Sequence, residues 1–263
     1  MLPEARRRAI LNHLSQVGSD TIIDMAERFH VSTMTIRRDL KTLQDASHIT
    51  MSHGGAVYNG DTFQQYETHH IERATIRAAE KRAIGQYIAA NFVDEDDVLF
   101  LDSGTTVRAL IPYLKNIANL TVASNSIRTI DALYRYLPES AIFSTGGLLS
   151  STAQTFVGPV AERFFEDFFA RKAFISGVGF TIQAGLADSQ MLDTAVKKSM
   201  TRSADATVVV IDSSKIGYSA MVQVLGTREI QSLVTDEGIA DSDRQTLLDM
   251  GIDLHVAPVA PDG

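Results

Sequence analysis

The feature that most constrains the fold is the alternation of short apolar runs with helix-compatible segments from residue 98 onward. Five of these runs have the length and composition of buried strands: residues 98–101, 120–123, 141–144, 173–176 and 208–211. Strands that alternate with helices in this way pair into a parallel sheet with crossover helices. We therefore predict an α/β fold built on a parallel sheet for this part of the chain.

Polar and glycine-rich residues follow each predicted strand, at residues 102–106, 124–126, 145–147, 177–179 and 212–215. In open parallel sheets, ligands bind at the carboxyl ends of the strands. The sequence therefore predicts a pocket at one edge of the sheet. We expect its ligand-binding residues to be Lys81, Asp102, Ser103, Gly104, Thr105, Thr106, Asn125, Gly147, Gly177, Gly179, Asp188, Asp212 and Lys215.

Two features of this predicted pocket suggest a phosphorylated ligand. The loop at residues 102–106 precedes a helix that we expect to begin near Val107, so its N–H groups would lie at the positive end of a helix dipole. Either Lys215 or Lys81 could supply the counter-charge. Asp188 could bind hydroxyl groups of a ligand, although a turn or helix-capping role is an equal alternative. The loops could also have purely structural roles, because Gly, Ser and Asn are common turn formers.

Three short helices are predicted in the first 45 residues. The first, at residues 4–16, carries Ile10, Leu11 and Leu14 at helical spacing. Thr21 followed by Asp24 resembles a capping box at the start of the second helix. Ser32 is placed to cap a third helix, whose apolar stripe is Ile36, Leu40 and Leu43. This arrangement suggests a helix-turn-helix at about residues 20–39.

The exposed face of the third helix is suited to the major groove of DNA. With Ile36, Leu40 and Leu43 buried, Arg38 and Lys41 lie on the opposite face. Residues 49–51 and 56–57 flank a glycine turn, which predicts a two-stranded wing. A solvated helix face without a DNA partner is the alternative. The candidate DNA-contacting residues are Ser32, Thr33, Met34, Thr35, Arg37, Arg38, Lys41 and His53.

The run at residues 31–40, followed by Leu43 and by His53-Gly54-Gly55-Ala56, resembles the signature of the DeoR/GlpR family of bacterial repressors. The resemblance continues at residues 80–82, 102–106, 124–126, 156–159 and 212–215. It implies a sensor domain similar to sugar-phosphate isomerases and glucosamine-phosphate deaminases, with phosphorylated sugar intermediates as effectors. It also implies repression of a carbohydrate-utilisation operon through double-stranded operator DNA.

These observations predict a winged helix-turn-helix domain at residues 1–58, a linker at 59–68 and an effector-sensing α/β domain at 69–263. A long helix-compatible segment from about residue 69 to 91 begins this larger domain. The charge distribution agrees with this division. Residues 1–57 hold seven Lys and Arg against six Asp and Glu, whereas the rest of the chain holds 17 against 26. The acidic larger part would not bind phosphate backbones non-specifically. One recognition helix contacts only a few base pairs, so we expect a dimer or tetramer.

The composition excludes several kinds of site. The chain has no cysteine, which rules out disulfides and thiolate metal ligands and favours a cytoplasmic location. No apolar run approaches the roughly 18 residues that would span a bilayer, so we expect no membrane partner. The seven histidines show no compact ligand spacing, so we expect neither a metal nor a cofactor.

Two alternative functions fit the sequence less well. A sugar-phosphate isomerase-like or deaminase-like enzyme fused to a DNA-binding domain would need a positioned carboxylate beside a second acid, and the sequence shows no paired-acid motif. An architectural DNA-binding protein without an effector would have no need of so many polar residues converging at strand ends. A ligand-responsive regulator is therefore the preferred interpretation.

Overall fold

The structure is a computed structural model that describes residues 3–17, 19–45, 49–52, 54–58, 74–150 and 153–259. The chain divides into two compact units, Met1–Thr68 and His69–Gly263. The predicted DNA contact His53 and the predicted linker at 59–68 lie outside the described residues. Within the described ranges, no helix is long and apolar enough to span a bilayer.

The first unit contains the three predicted helices, α1 (Pro3–Val17), α2 (Ile22–Arg28) and α3 (Thr33–Asp45). Both predicted caps are confirmed. Thr21 Oγ1 accepts the N–H of Asp24 at 3.1 Å, and Ser32 Oγ accepts the N–H of Thr35 at 3.2 Å. The reciprocal half of the capping box is wrong, because the N–H of Thr21 donates to the carboxylate of Asp20 at 2.7 Å instead.

The wing is a small antiparallel sheet. Its predicted strands are confirmed as β2 (Ile49–Ser52) and β3 (Gly55–Tyr58), and a third strand that was not predicted, β1 (Ser19–Thr21), pairs with the other side of β3. A Cβ atom at Gly55 would overlap the carbonyl oxygen of Asp20. A glycine at this position therefore allows β1 to approach β3 closely.

A buried ion pair joins the recognition helix to the first helix. Arg6 Nε on α1 lies 2.6 Å from Asp39 Oδ2 on α3, and both side chains are less than one-tenth exposed. The predicted stripe Ile36, Leu40 and Leu43 is also buried. Apolar packing thus determines which face of α3 is exposed. The ion pair holds α3 at a defined position along α1.

Replacing Arg6 by Met should destabilise this unit strongly, because Asp39 would remain buried without its partner. Such a loss costs about 3–5 kcal/mol, which corresponds to at least a roughly hundredfold faster amide exchange in α3. The double variant Arg6→Met/Asp39→Leu should recover much of the protection. Hydrogen exchange measured by mass spectrometry tests this, with Arg7→Met as the control. Equal exchange in the Arg6 and Arg7 variants would contradict a structural role for the pair.

The second unit is built on a seven-stranded parallel sheet, which confirms the predicted α/β fold. Five strands match predicted runs to within a few residues, and two further strands near the carboxyl terminus were not predicted. The sheet order is β15-β14-β12-β9-β4-β5-β6. These strands are β4 (Val98–Leu101), β5 (Thr121–Ser124), β6 (Ala141–Ser144), β9 (Ala170–Ile175), β12 (Ala204–Val210), β14 (Ser232–Asp236) and β15 (Asp253–Ala257).

Helices cover both faces of this sheet. They are α4 (Ala78–Phe92), α5 (Thr105–Arg108), α6 (Ile127–Tyr136), α7 (Pro159–Asp167), α8 (Met191–Arg202) and α9 (Asp241–Asp249). Alternate residues of β4 enter different cores: Phe100 packs with Phe165 on one face, whereas Leu99 and Leu101 pack with Ile84 on the other. Burial on both faces explains why the central strands are continuous apolar runs.

Two helix predictions in this unit are corrected. A single helix from about residue 69 to 91 was expected, but α4 begins at Ala78 because Arg77 adopts a left-handed conformation with φ of 54°. The helix expected near Val107 begins at Thr105 and comprises one turn. A single turn has only a small dipole, so the expected dipole contribution to anion binding at this loop is weak.

Two antiparallel elements lie outside the main sheet. A hairpin consists of β7 (Leu148–Ser150) and β8 (Thr155–Val157). A three-stranded sheet has the order β10-β11-β13, with β10 at Gly179–Thr181, β11 at Gly185–Asp188 and β13 at Val222–Leu225. The central strand of the three-stranded sheet, β11, ends at Asp188, which is one of the predicted ligand-binding residues.

Candidate functional site at the switch point of the sheet

The direction of chain connection reverses between β4 and β9. From β4 the sheet continues to β5 and β6 on one side, and from β9 it continues to β12, β14 and β15 on the other. Such a switch point opens a crevice at the carboxyl ends of the strands. Asp102 follows β4 and Ser176 follows β9, and Asp102 Oδ2 accepts the N–H of Ser176 at 3.0 Å. We call this edge of the sheet the carboxyl rim.

Lys197 on α8 holds the carboxyl rim together. Its Nζ donates to Asp102 Oδ2 at 2.8 Å, to Asp188 Oδ2 at 3.0 Å and to the carbonyl oxygen of Ser176 at 2.8 Å. An ammonium group has three protons, so all of its donors are used. The Lys197 side chain is only 5% exposed. The three elements that end at Asp102, Ser176 and Asp188 are therefore tied to one buried cation.

The environment of Lys197 favours its charged form. Burial by itself lowers the pKa of Lys197, but the charges of Asp102 and Asp188 and their hydrogen bonds raise it further than burial lowers it. The net effect is a pKa well above the ordinary value of a lysine. Lys197 consequently stays an ammonium ion throughout the physiological pH range.

A third carboxylate lies next to this group. Asp193, one helical turn before Lys197, accepts a hydrogen bond from Thr155 Oγ1 at 2.7 Å. Burial raises the pKa of Asp193, and the charges of Asp188 and Asp102 add to that rise. The Thr155 hydrogen bond and the charge of Lys197 oppose it only in part.

The residues predicted for this site did not include Lys197, Asp193, Thr155 or Ser176. A signal for Lys197 was present, because it lies three positions before the buried apolar residue Met200 on the same helix. A lysine on an apolar face needs a buried counter-charge. The sequence shows no paired-acid motif, but the structure does bring two acids together. Asp102 and Asp188 are far apart in the chain and both contact Lys197.

The predicted lysines occupy different positions from Lys197. Lys215 Nζ donates to the carbonyl oxygen of Gly177 at 2.8 Å and lies 3.4 Å from Ser176 Oγ, which places it at the carboxyl rim. Lys81 on α4 donates to the carbonyl oxygen of Ile76 at 2.7 Å. Asp212 is buried and accepts a hydrogen bond from Ser214 Oγ.

The predicted glycines have close neighbours at the carboxyl rim. A Cβ atom at Gly104 would lie 2.6 Å from Ser176 Cβ, and one at Gly177 would lie 2.6 Å from the carbonyl oxygen of Ala187. Gly179 likewise abuts the carbonyl group of Tyr218. Close packing therefore accounts for these three glycines. Gly147 differs, since it is exposed beside Val160 just before β7.

Hydroxyl and amide groups complete the loops after β4 and β5. Ser103 Oγ donates to Asp102 Oδ1 at 3.3 Å, and Asn125 Nδ2 donates to the carbonyl oxygen of Phe156 at 3.1 Å. Thr105 is half-buried as the first residue of α5. Among the described residues, five buried side-chain oxygens have no hydrogen-bond partner. Three of them belong to the loops after β4 and β5 or to α8: Thr106 Oγ1, Asn125 Oδ1 and Thr194 Oγ1. Buried polar atoms of this kind usually bind a ligand or an ordered water.

The first unit presents a second candidate site on α3. Thr33, Arg37, Arg38 and Lys41 are exposed, and Met34 is 72% exposed. The hydroxyl groups of Ser32 and Thr35 lie 2.9 Å apart and are hydrogen-bonded to each other. The face predicted to contact DNA is therefore open to solvent, and Ser32 and Thr35 also stabilise the start of the helix.

Two family models match this chain in order. A DeoR-like helix-turn-helix domain matches residues 6–62, and a DeoR C terminal sensor domain matches residues 76–237. The chain belongs to the DeoR family. It is a DNA-binding transcriptional regulator with an amino-terminal winged helix-turn-helix and a carboxyl-terminal sensor domain.

Proteins named as transcriptional regulators or repressors match this chain over at least nine-tenths of its length. This DeoR-family chain is 32% identical to the uncharacterized HTH-type transcriptional regulator YulB of Bacillus subtilis, with 100% of both chains covered. It is 28% identical to GolR of Listeria innocua, over 98% of this chain and 100% of the relative. It is 31% identical to the lactose phosphotransferase system repressor of Streptococcus mutans, over 90% and 93% of the two chains.

Solved structures give a weaker likeness. Ribose 5-phosphate isomerase A from Neisseria gonorrhoeae covers 52% of this DeoR-family chain and 53% of its own, with 14% identity and a TM-score of 0.39. A score this low supports no argument about the ligand. The family assignment of this regulator depends on the sequence matches.

Replacing Asp193 by Asn should stabilise the sensor domain in a pH-dependent way. Because the pKa of Asp193 is raised in the folded protein, ionisation of Asp193 lowers the free energy of unfolding. This loss grows as pH rises from the ordinary aspartate pKa, about 3.9, to the higher pKa of the folded state. The stability gained in Asp193→Asn should therefore grow from pH 4 upward and then become constant. Urea unfolding across this range measures it, with exposed Asp205→Asn as the control. A gain that shrinks as pH rises would contradict the stated environment of Asp193.

Proposed function

We propose that this regulator represses a carbohydrate-utilisation operon and that a phosphorylated sugar or sugar-like effector binds at the carboxyl rim. The observation that supports this proposal is the buried arrangement of Asp102 and Asp188 on Lys197 at the switch point of the sheet. Residues 1–58 would bind operator DNA, residues 59–68 would act as the linker, and residues 69–263 would sense the effector. The protein would act in the cytoplasm as a dimer or tetramer.

The chemistry of the carboxyl rim suits a polyhydroxylated ligand. Carboxylates held in their ionised form accept hydrogen bonds from hydroxyl groups, and Asp102 and Asp188 are held in this way by Lys197. The remaining predicted residues of the loop after β4, Ser103 to Thr106, together with Asn125 and Lys215, would supply donors to the other end of the ligand. We place the phosphate near Lys215.

The proposed DNA contacts follow from the exposed face of α3. Arg37, Arg38 and Lys41 carry positive charge there, and Met34 offers an apolar surface to a thymine methyl group. Ser32, Thr33 and Thr35 would contact the phosphate backbone at the start of the helix, and His53 would do so from the wing. The lactose phosphotransferase system repressor named above is consistent with a role in sugar metabolism.

Catalysis is the less favoured function. Isomerases and deaminases require a group that takes up and releases a proton at the sugar carbon. Lys197 does not suit this task, because its pKa is raised and all three of its protons are donated. The regulator names of the relatives also support a non-catalytic sensor.

Two substitutions should separate the proposed sites. Arg38→Ala should weaken binding to a duplex selected by this protein from a random pool, by roughly 5-fold to 150-fold for a loss of about 1–3 kcal/mol. It should leave unchanged the rise in melting temperature produced by a sugar phosphate. Lys215→Ala should abolish that rise and still bind the duplex.

The assay is a thermal-shift screen of sugar phosphates, plain sugars and inorganic phosphate, combined with fluorescence anisotropy on the duplex. Lys198→Ala is the control for Lys215→Ala, because Lys198 is a half-buried lysine that follows Lys197 on α8. No shift with any sugar phosphate would remove the proposed effector class. If Arg38→Ala and Lys215→Ala both lost the thermal shift with sugar phosphate and both still bound the duplex, the division of roles between the two units would be contradicted.

A further inference from the structure

An apolar patch lies on the sensor domain at the β6 edge of the sheet. The patch consists of Phe143, Leu148, Val160, Phe164, Phe168 and Phe169. Phe169 is 77% exposed, Leu148 65% and Val160 61%. Soluble monomers rarely expose large apolar side chains in a contiguous group, and such groups mark interaction surfaces.

Three aromatic side chains of the patch are adjacent to one another. The rings of Phe164 and Phe168 are stacked with centroids 4.5 Å apart, and the ring of Phe143 is 5.9 Å from that of Phe168. Val160 borders Gly147, which immediately precedes Leu148. The patch therefore runs continuously from α7 to β6 and to the start of β7.

The open edge strand borders this patch. β6 pairs with β5 on one side, and within the described residues its other side pairs with no strand. Natural edge strands are usually protected by a lysine, a proline or a bulge. The sequence Ala-Ile-Phe-Ser of β6 has no charged residue and no proline. This edge therefore has neither a charge nor a proline to prevent association with another chain.

The charges on α7 indicate what covers the patch. Arg163 and Asp167 are exposed and share a helix face with Val160 and Phe164, since these residues are spaced by three or four positions. Among the ion pairs of the described residues, neither Arg163 nor Asp167 has a partner. A two-fold axis crossing α7 at the level of Phe165 would place Arg163 of one copy opposite Asp167 of the other, twice.

We propose that the patch is the interface between two copies of this chain, with α7 packed antiparallel against its symmetry mate. A two-fold interface must be self-complementary, with residue i facing j and residue j facing i. On α7, the apolar side chains Val160 and Phe164 would pack against the apolar face of the second copy. Arg163 of each copy would face Asp167 of the other, so the charges would also be complementary. The proposal rests on the proposed function only in that operator recognition requires at least two copies.

The first test is the mass of the full chain in solution, measured by light scattering without DNA or sugar phosphate. Wild type should have at least twice the monomer mass of 28.7 kDa. Val160→Glu and Phe169→Glu should each reduce that mass by at least half, because both side chains are exposed within one copy and their replacement spares its core. Leu248→Glu on α9, at the opposite edge of the sheet, is the control and should keep the wild-type mass.

The second test is a charge exchange. Arg163→Asp and Asp167→Arg should each raise the dissociation constant by about tenfold or more, because like charges would face each other twice. An equimolar mixture of the two variants should associate again, since opposite charges then face each other. A monomeric wild type, full-size Val160→Glu and Phe169→Glu proteins, or a mixture no tighter than either variant would overturn the proposal. A sugar-phosphate thermal shift that persists in Phe169→Glu would show that the effector proposal stands independently.

Discussion

The sensor domain depends on how it accommodates one buried positive charge. An ammonium group removed from water is costly unless it is paired and fully hydrogen-bonded. Lys197 meets both conditions, with two carboxylates and one carbonyl oxygen as acceptors. The acceptors come from β4, β9 and the small antiparallel sheet, so the lysine can be buried only when all three elements are in place. The shape of the carboxyl rim is thus a consequence of burying this charge.

The same requirement links the fold to ligand binding. Asp102 and Asp188 are held in position by Lys197 before any ligand arrives, which limits the entropy that binding would cost. Thr106, Asn125 and Thr194 keep buried oxygens without partners among the described residues, and these oxygens are available to a polar ligand or to water. An apolar ligand would leave them unsatisfied. In the proposed effector site, these oxygens would therefore favour a polar ligand over an apolar one.

Local patterns in the sequence predicted much of this architecture. Continuous apolar runs identified the central strands, the polar residue after β4 identified Asp102, and the stripe Ile36, Leu40 and Leu43 identified the exposed face of α3. The missing parts are contacts between residues distant in the chain. Lys197 and Asp102 are separated by 95 positions, and Arg6 and Asp39 by 33. Periodicity reports which face of a helix is buried but not which distant side chain it meets, so neither pair could be predicted. The left-handed Arg77 was missed because nothing in the helical pattern around it indicates a break.

The central claim is that occupancy of the carboxyl rim changes the affinity of the helix-turn-helix for DNA. Thermodynamic linkage requires the effector to change operator affinity by the same factor by which operator changes effector affinity. The most direct measurement is the operator dissociation constant of the wild-type protein as a function of the concentration of the sugar phosphate that binds it. The account predicts a change of about 5-fold to 150-fold that reaches a plateau, the usual range of coupling between sites. An operator affinity that stays constant while the sugar phosphate saturates the protein would contradict it.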